Sequence, residues 1–204
     1  LHRRRHSFPT RRSSDLTKNI VAKMQAAGYN VQVFCLNAAS MGVPQKRERV
    51  FFVGHRKEFT LPKLKLDFNE RGIPYGELKD SSKGAWSEHN QSIWDNRIKG
   101  DRDFGQTLKR TIGRESNFSA KFIYDDEVCQ TVLPSFGSKL VSFSEPKTLG
   151  NTELCKVGTY PLDYNFKALE PKYLIGMSVP PVMTAQLSNQ IRRQWLDVIY
   201  KESK

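Results

Sequence analysis

One segment constrains the possible folds of this chain more than any other: a turn at residues 42–44 runs directly into the strand-like stretch 45–53. Glycine and proline favour a turn at that point, and the valines and phenylalanines that follow are typical of a strand buried on both faces. Because side chains alternate along a strand, Gln45, Arg47 and Arg49 should point to one side. The sequence therefore predicts a strand that opens with three polar side chains, which we call the arginine ledge.

The arginine ledge is suited to binding an anion or a flat polar group. Guanidinium groups stay charged at neutral pH, and their planar fork of donors matches phosphate oxygens or the edge of a base. The residue types alone leave a second interpretation open, in which the ledge is a solvated strand start with Glu48 as its ion-pair partner. The surrounding sequence has to decide between the two.

Regular elements are predicted on both sides of the ledge. Apolar residues recur at helical spacing from Thr17 onward, and Gly28 is placed to end that helix. Residues 29–36 and 50–53 read as strands. Near the C-terminus, an apolar stripe at steps of three and four predicts an amphipathic helix from residue 181 to about residue 200.

Between about residues 58 and 145 the pattern changes, because glycines and prolines interrupt polar segments with few long apolar runs. Short strands and loops are predicted there, not helices. Basic residues such as Lys109, Arg110 and Arg114 lie among aromatic ones, which suits a nucleic-acid surface. The alternative is that the aromatic residues form the core of a small domain and the charges its solvated skin.

The net charge is +12, from 33 basic and 21 acidic residues, which favours a polyanionic partner but is also common for solubility alone. Part of this charge is suspect, because residues 6–16 read like the translation of a sequencing-library adapter. We therefore expect residues 1–16 to be a non-native tail. Without its five arginines and one aspartate the chain keeps a charge of +8.

The cysteines indicate a reducing compartment. Cys35, Cys129 and Cys155 are too few and too scattered for a disulfide framework, and no Cys/His spacing resembles a zinc site. No metal is expected. Apolar runs are too short to span a membrane, and the N-terminus lacks a signal-peptide pattern. A cytoplasmic location is therefore predicted.

Ordered motifs give this chain a family resemblance. Residues 28–54 resemble the Gln-Arg-Arg motif of cytosine-5 DNA methyltransferases, and residues 175–181, Ile-Gly-Met-Ser-Val-Pro-Pro, resemble a second motif of that family. Residues 147–161 match a third motif in degraded form, since Thr152 stands where the family has Arg and Thr159 is inserted. The separation of the first two motifs suits an intervening DNA-reading domain.

The resemblance implies an α/β fold: the C-terminal portion of a Rossmann-like S-adenosylmethionine-dependent methyltransferase domain plus a small, mostly β or irregular target-recognition domain. Residues 17–57 would end the catalytic domain, and residues 58–145 would form the target-recognition domain. Residues 146–204 would return to the catalytic domain with a cofactor loop and a closing helix.

The resemblance also implies roles for particular residues. Arg49 and Arg47 would be catalytic, with Arg49 on the flipped cytosine or its sugar-phosphate while Arg47 and Gln45 organise the pocket. The residues expected to bind DNA are Gln45, Arg47, Arg49, Lys109, Arg110 and Arg114. Those expected to contact S-adenosylmethionine are Gly176, Met177, Ser178 and Val179, with Met177 in place of the usual Asn.

Several family motifs are absent. Nothing before Gln45 matches the glycine-rich cofactor loop, the Pro-Cys-Gln nucleophile or the Glu-Asn-Val acid, and Val128 replaces the proline before Cys129. The resemblance therefore implies a C-terminal fragment of a bacterial or phage enzyme. It would bind double-stranded DNA weakly and need a missing N-terminal portion for catalysis.

Two alternatives stay open. The first is a non-catalytic, sequence-specific DNA-binding module or a subunit that completes a split enzyme in trans. The second is a basic RNA-binding protein of ribosomal type, which explains the charge but not the paired motifs.

Overall fold

A computed structural model describes residues 11–116, 120–135 and 139–202. The chain divides into two compact units. The first unit contains the chain up to Leu36, the segment Val50–Leu66 and the chain from Gln190 onward, and the second contains Asn37–Arg49 and Asp67–Asn189. Most of the predicted non-native tail, residues 1–10, lies outside the described residues, and its origin stays a prediction.

The first unit opens with helix α1, Arg11–Ala26. It begins six residues before the predicted start at Thr17, because residues 11–16 contain no glycine or proline that would interrupt it. Gly28 ends the helix as predicted: its φ of +91° is left-handed, and its amide donates to the Gln25 carbonyl at 3.1 Å.

Two strands follow α1, as the sequence predicts, but the second begins at Glu48, so Gln45 and Arg47 precede the strand that they were expected to open. Strand β1 is Tyr29–Asn37 and strand β2 is Glu48–Arg56, and the two form a two-stranded sheet. Most of their residues are only half-buried, although the strands carry apolar residues on both faces. A two-stranded sheet by itself is only marginally stable in water, so this one depends on the elements packed around it.

The C-terminal segment is helical, as predicted. Helix α6 spans Pro181–Ile191, a π-helical stretch spans Arg192–Leu196, and helix α7 spans Asp197–Glu202. Within the first unit, the indole N–H of Trp195 donates to the Pro62 carbonyl at 2.8 Å. The Trp195 side chain is therefore both buried and hydrogen-bonded, which is what a buried indole requires.

The second unit contains two short α-helices that the sequence analysis did not predict. Helix α2 is Glu88–Asp95 and helix α3 is Phe104–Ile112. The expectation of strands and loops alone was wrong here, because the capping residues were overlooked: Ser87 and Asp103 each accept a backbone amide of the first turn through the side chain. Much of residues 58–145 is nevertheless irregular.

Two short parallel strands complete the middle of the second unit. Strand β3, Lys121–Ile123, pairs with strand β4, Leu140–Ser142, so that Phe122 lies opposite Val141. Phe122 and Val141 belong to a small core that also includes Ile93 and Phe104. The aromatic residues of this region therefore contribute to a core, which is the alternative that the sequence left open.

Two further helices end the second unit before α6. Helix α4 is Asn151–Gly158 and helix α5 is Pro171–Met177. They pack around the larger core of the unit, whose buried members include Tyr75, Val157 and Ile175. None of the helices in the described part of the chain has the length and hydropathy of a bilayer span.

Candidate functional site

The arginine ledge lies in the second unit, and its three side chains differ in exposure. Gln45 is 0% exposed and Arg47 is 1% exposed, whereas Arg49 is half-buried. The Gln45 carboxamide accepts the Val132 amide at 3.1 Å and donates to the Val157 carbonyl at 3.3 Å. Gln45 therefore joins separate segments inside the unit, and its side chain is not available to DNA in this conformation.

The Arg47 guanidinium is buried among backbone carbonyls. Its Nη1 donates to the Val132 carbonyl at 3.1 Å, and its Nη2 donates to the carbonyls of Gly176 at 2.7 Å and Ser178 at 2.8 Å. Burial, reinforced by the charge of Arg49, lowers the pKa of Arg47 to about 10. The group is thus still charged at neutral pH, and it ties the ledge to the loop that follows α5.

The end of α5 is packed too tightly for any side chain at Gly176. A Cβ there would lie 2.5 Å from the Pro134 nitrogen and 2.7 Å from the Leu133 carbonyl carbon, both backbone atoms. The backbone at residue 176 therefore lies directly against residues 133–134. Glycine is required for space, which explains why the motif has it at this position.

The rest of the predicted cofactor loop is more open. Met177 is 62% exposed and Val179 is 37% exposed. The Ser178 hydroxyl donates to the Ile175 carbonyl at 3.0 Å, which caps the end of α5. The structure thus brings the four predicted cofactor residues together with Arg47, and presents two apolar side chains at the surface.

Arg49 is the member of the ledge whose side chain reaches the surface. Its Nη1 donates to the carbonyl of the adjacent Glu48 at 2.7 Å, a local contact that links it to no other segment. Burial lowers the pKa of Arg49, although the group keeps some exposure. Arg47, just before β2, and Arg49, within it, therefore differ in their contacts: Arg47 is fixed inside the unit and Arg49 reaches the surface.

The three basic residues predicted on the DNA surface lie at or just after the end of α3. Lys109 is exposed and pairs with Glu115 at 2.6 Å. Arg110 donates to the Asn96 carbonyl at 2.6 Å and to the Asp101 carboxylate at 2.9 Å, so it is partly committed to the unit's own structure. Arg114 is exposed.

Comparison with known proteins places these features in a family. A family model described as C-5 cytosine-specific DNA methylase matches residues 6–193. The chain belongs to this family. The predicted resemblance to this family is confirmed.

Curated relatives of this family member are Type II methyltransferases by name. It is 24% identical over 200 residues to the Type II methyltransferase M1.HphI of Haemophilus parahaemolyticus, covering 89% of this chain and 53% of that protein. It is 25% identical over 197 residues to the Type II methyltransferase M.NgoFVII of Neisseria gonorrhoeae, covering 85% and 53%. The chain thus spans about half the length of these relatives, as expected for a fragment.

Solved structures confirm the α/β fold class of the methyltransferases. The Entamoeba histolytica methyltransferase EhMeth superposes with a TM-score of 0.58 at 13% identity, covering 89% of this chain and 59% of that one. A mutant of Spodoptera frugiperda DNMT2 superposes with a TM-score of 0.58 at 12% identity, covering 88% and 63%. At these identities the likeness shows the fold alone.

This member of the family also contains a buried ion pair that the sequence analysis missed. The Lys147 ammonium and the Glu153 carboxylate lie 2.9 Å apart, and their side chains are 2% and 0% exposed. The Tyr75 hydroxyl and the Asp80 amide also donate to Glu153, at 2.9 and 3.2 Å. The signal in the sequence was Glu153 itself, which belongs to the degraded third motif. Its buried contacts with Lys147, Tyr75 and Asp80 fit the structural role that was expected of that motif.

The buried cysteine near the ledge is not a reactive thiol. Cys129 is 0% exposed, and desolvation by burial, with the nearby Glu153 charge, raises the pKa of its thiol to about 12. It is therefore protonated at neutral pH. This agrees with the sequence analysis, in which Cys129 does not match the Pro-Cys-Gln nucleophile of the family. In the described part of the chain, no cluster of three or more metal-ligating side chains is found.

Proposed function

We propose that this chain is the part of a DNA cytosine-5 methyltransferase that carries the base-handling arginine, one wall of the cofactor site and the target-recognition region. The observation that supports it most is the division of roles within the ledge. Arg47 is held by three carbonyls of two other segments, and Arg49 reaches the surface two residues further along the chain.

In this proposal Arg49 contacts the flipped cytosine or its sugar-phosphate. A base must leave the helix stack before its ring carbons can be reached, and a guanidinium suits both the base carbonyl and a phosphate. A donor placed beforehand where negative charge develops on the ring lowers the barrier electrostatically. Gln45 and Arg47 act as positioning residues, because they hold the strand that carries Arg49 against residues 132 and 176–178.

The residues after α5 fit one wall of an S-adenosylmethionine site. Met177 and Val179 expose apolar side chains that would contact the cofactor, while Gly176 and Ser178 hold the backbone of the loop through Arg47 and Ile175. When bound, S-adenosylmethionine supplies the methyl group on a sulfonium. The role of the loop in this chain is to limit where that group can lie.

DNA would be bound along the basic part of residues 58–145, the proposed target-recognition domain. Lys109 and Arg114 are exposed and free of buried contacts to other segments, so they suit phosphate oxygens, which set the position of a protein on DNA. Arg110 is partly engaged by Asp101 and is a weaker candidate. Binding through such residues weakens steeply with salt, because counterions are released.

Catalysis requires a nucleophile that these residues do not provide, since Cys129 is buried and protonated. We therefore propose that the missing N-terminal portion of the enzyme supplies it, in the cytoplasm of a bacterium or of a phage-infected cell. The proposed boundaries remain 17–57 and 146–204 for the catalytic domain. Alone, the chain would bind double-stranded DNA and transfer no methyl group.

The test is a methyl-transfer assay with radiolabelled S-adenosylmethionine and cytosine-containing duplex DNA. The chain is assayed alone and together with a separately expressed N-terminal portion of a family member that contains Pro-Cys-Gln. We expect transfer only with both parts, and a loss of about 10²- to 10³-fold for Arg49→Gln. Transfer by the chain alone would contradict the proposal.

The same assay separates the non-catalytic alternative. Duplex binding that persists while no N-terminal portion restores transfer would favour a DNA-binding module. Lys23→Gln, an exposed change on α1, is the matched control for loss of one positive charge. It should leave transfer unchanged.

A further inference from the structure

A cavity of about 290 Å³ lies in the second unit and shares no lining residue with the arginine ledge or with residues 176–179. Its apolar wall is formed by three leucines that are each less than a tenth exposed, Leu140, Leu149 and Leu154. This volume is at the lower end of the range for small-molecule sites, roughly 300 to 1,000 Å³. The cavity therefore suits one small ligand or one residue of a larger one.

Close backbone packing shapes one side of this cavity. The Gly84 amide donates to the Thr148 carbonyl at 3.1 Å. A Cβ at Gly84 would clash sterically with the Thr148 hydroxyl oxygen. Only glycine fits at position 84. The Thr148 hydroxyl in turn donates to the Ala85 carbonyl at 3.2 Å, so the wall is held from both strands of chain.

Two lysines and the start of a helix face the cavity from its other sides. Lys139 and Lys172 both line it, and Lys172 donates to the Ser135 carbonyl at 2.7 Å. Burial lowers the pKa of Lys172, and the positive charge of Lys139 lowers it further, while the Glu170 carboxylate opposes both. The pKa is lowered overall. Glu170 also lines the cavity, so two ammonium groups and one carboxylate leave the lining with a single net positive charge, which favours an anion there.

Asn151, in the first turn of α4, also lines the cavity. The N-cap of that helix is Gly150, whose amide donates to the Glu153 carboxylate at 3.2 Å, so the first turn is already capped and the helix start adds little to the binding of an anion. The Asn151 carboxamide has both a donor and an acceptor, as the edge of a nucleobase does.

We propose that this cavity binds a mononucleotide unit, with its phosphate on Lys139 and Lys172 and its base against Leu140, Leu149 and Leu154. The charge of the lysines selects the phosphate, and the leucine wall selects a flat apolar body over a bare anion. The proposal does not depend on methyl transfer, since neither the cofactor nor the arginine ledge takes part.

The test is isothermal titration calorimetry of the whole chain at low salt with thymidine 5′-monophosphate, thymidine and inorganic phosphate. We expect the nucleotide to bind at least about tenfold more tightly than either of its parts, because each part makes only one set of contacts. Equal binding of nucleotide and phosphate, or no binding of the nucleotide at millimolar concentration, would overturn the proposal.

Variants assign the binding to this cavity. Lys139→Gln and the double change with Lys172→Gln should weaken the nucleotide about tenfold or more, with the thermal midpoint checked for each. Lys23→Gln, on α1, removes the same charge elsewhere and should change nothing. Unchanged nucleotide affinity in a folded Lys139→Gln/Lys172→Gln variant would overturn the assignment.

Competition identifies the source of the nucleotide. A short single-stranded oligonucleotide that displaces thymidine monophosphate, and that itself binds more weakly to the double variant, indicates a residue of a DNA strand. An oligonucleotide that binds without displacing it indicates a free nucleotide. Both results support the cavity as a nucleotide site, and they distinguish its two possible sources.

Discussion

Two buried cations of the second unit, Arg47 and Lys147, are nearly equal in exposure but differ in their partners. Lys147 faces the Glu153 carboxylate at 2.9 Å, so its charge is neutralised at close range. Arg47 instead donates to the neutral carbonyls of Val132, Gly176 and Ser178. The buried ion pair therefore stabilises the unit without adding a net charge. Arg47, whose partners are neutral carbonyls, keeps its positive charge next to residues 176–178.

The largest effect is expected at the ion pair. Glu153→Gln removes the buried carboxylate and leaves the Lys147 ammonium with the half-buried Glu145, 3.4 Å away, as its remaining opposite charge, which costs about 3 kcal/mol in the free energy of unfolding. Urea unfolding followed by circular dichroism at neutral pH measures this. A loss below about 1 kcal/mol would show that the two buried cations do not differ in the way we describe.

A smaller loss is expected when the carbonyl-bound cation is removed. Arg47→Met should lower the free energy of unfolding by about 2 to 3 kcal/mol, because buried carbonyls lose their donors. Arg47→Lys should not restore it, since an ammonium cannot reproduce the planar fork. Hydrogen exchange should increase at residues 132 and 176–178 and stay constant around Glu153; an increase spread evenly over the unit would contradict the local role.

A surface-linked carboxylate gives an intermediate case with a defined pH dependence. Burial of Asp80 opposes its charged form, but hydrogen bonds from Lys156 and Ser82 dominate and lower its pKa to about 2. Because this pKa is lower than the unfolded value of 3.8, the ionised Asp80 carboxylate stabilises the fold above pH 3.8. This stabilisation is lost as the pH falls toward 2. We expect it to contribute about 1 to 2 kcal/mol at neutral pH.

The variant Lys156→Gln tests this contribution. It should reduce the free energy of unfolding at pH 7 and have a smaller effect near pH 2, where about half of the Asp80 carboxyl groups are protonated in the unmodified protein. Urea unfolding across that pH range gives the comparison. A difference between the two proteins that is the same at both pH values would assign the effect to packing of the lysine stem instead.

The smallest effect on stability is expected at Arg49. Arg49→Gln changes a half-exposed side chain with one local hydrogen bond, so the free energy of unfolding should change by less than about 0.5 kcal/mol. Retention on duplex DNA should nevertheless fall. A stability loss as large as that of Arg47→Met would mean that Arg49 is a second internal fastener and not the outward-facing member of the ledge.

Much of the local structure could be predicted from the sequence. Periodicity and end signals located α1, β1, β2 and the C-terminal helix, because these depend on neighbouring residues. Helices α2 and α3 were missed because each is only about two turns long and depends on one capping side chain, Ser87 or Asp103. Short capped helices within polar sequence give a weak periodic signal.

The site was predicted in its residue types and less well in its exposure. Alternation along one strand was expected to place Gln45, Arg47 and Arg49 on one side, but the strand begins at Glu48 and only Arg49 belongs to it. The burial of Gln45 and Arg47 depends on partners 85 to 131 positions away in the chain. The Lys147–Glu153 pair spans only six residues, but the contacts that Glu153 makes with Tyr75 and Asp80 are 78 and 73 positions away, so its burial was missed as well. Which charged residues a fold encloses is a property of tertiary contacts that no local pattern encodes.

The backbone contact at Gly176 has a mechanical consequence. Because Gly176 lies against the backbone of Leu133 and Pro134, and Arg47 bonds the carbonyls on both sides, neither segment can move without the other. Any molecule that shifts Met177 or Val179 on the surface therefore also shifts residues 132–134. Residues 132–134 and 176–178 therefore move as one rigid body, and a displacement of either segment is transmitted to the other.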